Sequence, residues 1–123
     1  MNKHNAEMEQ ALLGIFLVDG GAVRTVDIDA SDFWVKRHQW IYQAMKSVGT
    51  VDYLTVRDEL ERTNKDVDSS YLMKLSATYM TSIMADEYAD KIKGYARDRN
   101  DIRILSDAVN QINNGGLDRA KLL

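Results

Sequence analysis

The sequence predicts an all-α protein: a compact helical bundle followed by a long helix that begins a helical hairpin. Three observations carry this. Proline is absent and only 7 of 123 residues are glycine, so little in the chain forces a helix to break. No stretch alternates apolar and polar residues for long enough to make a half-buried strand. Apolar residues instead recur every three or four positions along most of the chain.

The first helix is expected from about Ala6 to Val18. Asn5 is placed to cap it, and Glu7 and Glu9 lie in its first turn, where the helix dipole favours negative charge. Met8, Leu12 and Ile15 share a face, widened by Ala11 and Phe16. Gly14 costs this helix about 1 kcal/mol relative to alanine, a penalty that close approach of another helix would offset. The Asp-Gly-Gly run at 19–21 ends it, and a short helix is expected over Ala22–Val26.

Ser31 or Asp32 is expected to cap the next helix, which carries the most aromatic stretch of the chain, SDFWVKRHQWIYQAM, from Ser31 to Met45. Trp34, His38, Ile41, Met45 and Val48 follow one another at spacings of 4, 3, 4 and 3, a continuous stripe. That places His38 in line with core positions. A structural histidine there would donate a ring N–H to a carbonyl or a carboxylate. The expected core comprises Leu12, Ile15, Phe33, Trp34, His38, Ile41, Met45 and Leu60.

Thr55 with Asp58 reads as a capping box opening a helix that turns Val56 and Leu60 inward. After a polar connection, Ser69 or Ser70 would cap a helix bearing Leu72, Met73 and Leu75. The last clear element is long, about Met84–Ile112. It starts with Asp86, Glu87 and Asp90 and carries Lys91, Lys93, Arg97, Arg99 and Arg103 further on. Tyr88, Ile92, Tyr95, Ile102, Leu105, Val109 and Ile112 mark an apolar stripe along it, with Gly94 a possible bend. So long a helix on so small a domain is expected to project, leaving a stripe for something else to cover. The expected organisation is one structural domain: a bundle over 1–85, the long helix over 86–114, and over 115–123 the first turns of a second hairpin helix, cut short.

Several function classes are disfavoured by the residues themselves. No Gly-Lys dipeptide occurs, so no phosphate-binding P-loop can form. The absence of cysteine removes disulfides and thiolate metal sites. Two histidines in no metal-binding spacing, and no nucleophile set beside a base, give no expected catalytic, cofactor or metal residue. The longest apolar run, Ala11–Val18, is far shorter than the roughly 20 residues that cross a bilayer. With no secretory leader in view, the cytoplasm is the expected location. A formal charge of −3 argues against a domain devoted to nucleic acid, so at most a weak DNA contact is expected. A helix-turn-helix regulator is an alternative, but its second helix would offer only Lys74.

Four blocks in order resemble the N-terminal domain of DnaB-type replicative helicases. They are AEMEQALLGIFLVD, DFWVKRHQWIYQAM, VDYLTVRDELER and YADKIKGYARDR, within a stretch from Ala6 to about Ile112. Val51 stands near a position where the family usually has proline, and Thr-Ser-Ile replaces its Thr-Pro entry to the long helix. The resemblance implies a non-catalytic assembly and docking domain. Its hairpins would pair between subunits to give dimers and a ring, and primase and a helicase loader would be its other partners. It also implies that ATP and magnesium belong to a separate domain. A helicase-binding domain of a primase, similar in shape, is the competing reading.

Overall fold

The computed structural model describes residues 4–114, so the expected second hairpin helix over 115–123 lies outside the described residues. The helices are α1 (Ala6–Val18), α2 (Ala22–Thr25), α3 (Lys36–Ser47), α4 (Tyr53–Arg62), α5 (Ser69–Ala77) and α6 (Ala85–Asn113), with a 3₁₀ turn at Ala30–Asp32. No strand occurs among the described residues.

Helix α1 is the axis of the bundle and packs against α2, α3, α5 and α6. The single face expected for it is too narrow: Leu12 through Leu17 are all buried, as a helix surrounded by others requires. The Asn5 carboxamide oxygen accepts from the Met8 amide at 3.0 Å and caps it as expected. Gly14 lies against α5. A Cβ there would run into the Leu75 carbonyl and the Thr78 hydroxyl, so glycine is what lets the two helices touch.

Neither Ser31 nor Asp32 caps α3, which starts only at Lys36; Asp32 instead accepts from the Asp29 amide at 2.8 Å within the 3₁₀ turn. The caps of α4 and α5 sit upstream of their expected positions. Asp52, not Thr55, opens α4: its carboxylate accepts from the Thr55 amide at 2.9 Å, and its own amide donates to Thr55 Oγ1 at 3.0 Å. Asp58 pairs instead with Arg57. Asp68, not either serine, caps α5 through the Ser70 amide. At the end of α4 the amides of Asn64 and Lys65 donate back to the carbonyls of Glu61 and Leu60, with Asn64 left-handed at φ 55°. That is a Schellman closure with asparagine in the usual glycine place.

The largest correction concerns Trp34. Helix α3 begins at Lys36, so Trp34 precedes it in a bend and is 51 % exposed rather than in the core. Phe33 takes the buried place beside Tyr42, ring centroids 5.4 Å apart. The remaining expected core residues, Leu12, Ile15, Phe33, His38, Ile41, Met45 and Leu60, are all buried. Met73 is exposed, while Leu72 and Leu75 on the same helix are buried.

Candidate interaction surface

Helix α6 has 29 residues and is about 43 Å long at 1.5 Å per residue. It runs unbroken through Gly94. Its two halves do different work. In the first, Ala85, Ala89 and Ile92 are buried in the core and Tyr88 packs at its edge. The bundle therefore takes in the opening turns of α6, past residue 85, and Ile92 is a core residue rather than part of an open face. Two polar ties hold this half down. Lys93 Nζ meets the Asp27 carboxylate at 3.0 Å, a hydrogen bond that raises the lysine above its ordinary range, assisted by the charges of Asp27 and Asp90. Arg99 donates to the Asp32 carbonyl at 2.9 Å.

Beyond Arg99 the helix leaves the globule. Residues 100–114 are exposed except the half-buried Ala108. Ile102, Leu105, Val109 and Ile112 lie here at spacings of 3, 4 and 3, each about half or more exposed. Tyr95, between the two sets, is half-buried. Leu105 is the most open at 66 %, and Ile104 widens the patch.

At 100° per residue, the face centred on these four residues is about 150° around the helix from the face made by Ala85, Ala89 and Ile92. The apolar positions expected to form one stripe therefore wind from one side of the helix to nearly the other. The bundle that covers the first set is on the wrong side to cover the second. Around the distal seam the helix is polar: Arg103 pairs with Asp107 at 3.5 Å and donates to Asn100 at 2.9 Å. The distal half is thus an amphipathic helix whose apolar face has no neighbour among the described residues.

A second arrangement, missed in the sequence reading, sets the geometry near the amino end. Glu9 is buried, only 1 % exposed. Its carboxylate accepts from the amides of Trp34 at 2.8 Å and Val35 at 3.3 Å, and from His38 Nδ1 at 2.8 Å. Helix α3 has no side-chain cap of its own, and Glu9 of α1 instead fixes the two residues that lead into it. His38 Nε2 then meets the Tyr71 hydroxyl at 2.6 Å, which also accepts from the Gln10 carboxamide at 3.2 Å. This chain joins α1, α3 and α5. The signal for it was present: Glu9 is one helical turn from Leu12 and two from Phe16, an acid in line with core residues. No nucleophile faces His38, and its partners account for both ring nitrogens.

Among the described residues no group of three or more acids and histidines is arranged to hold a metal. No helix there is long and apolar enough to cross a membrane. The α4–α5 connection spans six residues, 63–68, longer than the tight turn of a helix-turn-helix.

A family model for the DnaB-like helicase N-terminal domain matches residues 1–94. Among solved structures, the crystal structure of the N-terminal domain of DnaB helicase from Mycobacterium tuberculosis is similar with a TM-score of 0.84. The two are 25 % identical, and the match covers 94 % of this chain and 89 % of that one. No curated protein sequence matches.

Proposed function

We infer function from membership: this chain belongs to the DnaB-like helicase N-terminal domain family, whose model covers most of its length. The reading is a non-catalytic assembly and docking domain of a replicative helicase in the cytoplasm. It joins helicase subunits into dimers and, through them, a ring, and it offers primase and a helicase loader a place to bind. ATP and magnesium then belong to a separate domain of the parent protein, in keeping with the lack of any Gly-Lys dipeptide here.

The observation that carries the assembly role is the distal seam of α6. Four large apolar side chains project on a face that the chain's own bundle cannot reach. Two such seams brought together remove apolar surface from water at roughly 25 cal/mol per Å². The primase and loader roles rest on family membership. Membership also favours the helicase side over a primase's helicase-binding domain and over a helix-turn-helix regulator.

The chain has no cysteine, so single introduced thiols report cleanly on the interface. Leu105→Cys places one on the seam, and Asp107→Cys places one on the polar face opposite. A short bis-maleimide is expected to give covalent dimers from the first and not from the second. Equal yields from both, or none from either, would refute pairing through this face.

A further inference from the structure

A second surface, independent of the α6 seam, stands out around Trp34. Its indole is half exposed, yet the residue is rigidly mounted. The Trp34 amide is held by the buried Glu9 carboxylate at 2.8 Å, and the His4 ring stacks on the indole with centroids 3.6 Å apart and planes 10° from parallel. Three residues on, the Arg37 guanidinium lies over the Tyr71 ring, 3.6 Å from its centroid. The Tyr71 hydroxyl is in turn fixed by His38 and Gln10. A folded chain does not gain by keeping tryptophan in water, so a fixed, half-bare indole three residues from an exposed arginine is a prepared contact.

Charge gives the kind of partner. Arg57, Arg62, Lys91, Lys93 and Arg103 each have a carboxylate within 4 Å. Lys36, Arg37 and Lys74 are exposed and make no ion pair among the described residues. Lys36 and Arg37 open α3 just after Trp34, and Lys74 is one turn along α5 from Tyr71. The first turn of α3 contains no acid, and of the two acids in the first turn of α1 one, Glu9, is buried. Arg24, Lys46 and Lys65 also lack an ion pair among the described residues, but Arg24 donates to the Gly49 carbonyl and the two lysines lie over the Tyr42 and Trp40 rings. Lys36, Arg37 and Lys74 are the ones that adjoin Trp34 and Tyr71 in the chain, whose net charge is −3.

We propose that this surface binds single-stranded polynucleotide, a base stacking on Trp34 and the adjoining phosphates lying on Lys36, Arg37 and Lys74. Stacking on an aromatic face accepts any base, so recognition would be of single strands and not of sequence. An acidic protein segment would satisfy the cations but would make no use of a flat ring already stacked in a column.

The test titrates the 123-residue chain with fluorescent oligothymidylate, its duplex, and polyglutamate, following anisotropy and tryptophan quenching. Oligothymidylate is expected to bind best and to quench emission. With three phosphates neutralised, log affinity should fall against log salt with a slope of about −2. Trp34→Ala, half exposed and so expected to melt like the parent, should weaken binding about tenfold. Lys36→Glu with Lys74→Glu should weaken it as well and flatten the slope. Absence of binding at low salt would overturn the proposal. So would affinity unchanged in Trp34→Ala, tighter binding of duplex, or equal binding of polyglutamate, the last assigning the patch to an acidic protein.

Discussion

Glu9 and Gly14 show how single residues override the local tendencies of a helix. Glu9 does more than favour the dipole of α1; it fixes the chain entering α3 from a neighbouring helix and orients His38. Gly14 lowers the propensity of α1 but permits contact with Leu75 and Thr78. Gly14→Ala should therefore destabilise the protein by about 1–3 kcal/mol, against the direction that propensity alone gives, and urea unfolding checks it. Tyr42 makes a prediction of another kind. Its hydroxyl donates to the Ile28 carbonyl at 2.9 Å, and its pKa is raised above 10.0, first by burial, then by Asp29, Asp32 and Asp27. The folded state therefore holds this proton more tightly than the unfolded chain. The resulting stability is fully present below about pH 10 and is lost as pH rises through the higher folded value. Tyr42→Phe should show a shallower alkaline loss of stability, measured by denaturant titration across that range. Trp34 and Phe33 mark the limit of reading residues in isolation. The 4-3 spacing that includes Trp34 is genuine, but α3 starts two residues after it, so the spacing no longer fixes which side is buried.

At the scale of elements, long periodic helices were legible and caps were not. The expected spans of α1 and α6 agree with the structure to within a residue or so, because thirteen and twenty-nine residues carry many turns of pattern. Caps depend on one side chain reaching one amide, and aspartate and serine compete for the role within three or four positions. That is why Asp52 and Asp68 displaced the expected Thr55 and Ser69 or Ser70. The division of α6 was hidden for a different reason. Periodicity shows that apolar residues line up, not what they line up against. Ile92 and Ile102 look alike in the sequence, yet one is 1 % exposed and the other 45 %. Ile92→Ala should cost about 2–5 kcal/mol in unfolding free energy. Ile102→Ala should change the unfolding of the monomer by no more than about 0.5 kcal/mol, both read from denaturant curves at a protein concentration low enough to separate subunits.

For the whole molecule, the arrangement is a self-sufficient bundle from which half a helix projects with its apolar side turned away. The bundle has its own core and its own polar lock through Glu9, His38 and Tyr71, so it has no need of the distal half of α6 in order to fold. Such a division leaves the projecting face available for joining one molecule to another, which is the assembly role proposed for this DnaB-like domain. Leu105→Asp combined with Val109→Asp places two charges on the seam and touches nothing in the bundle. Sedimentation equilibrium of the parent chain and this double variant is the most direct measurement. The parent should associate to dimers as concentration rises, and the variant should remain a monomer with unchanged helical circular dichroism. A parent that stays monomeric at the highest attainable concentration, or a variant that associates as strongly as the parent, would contradict the account.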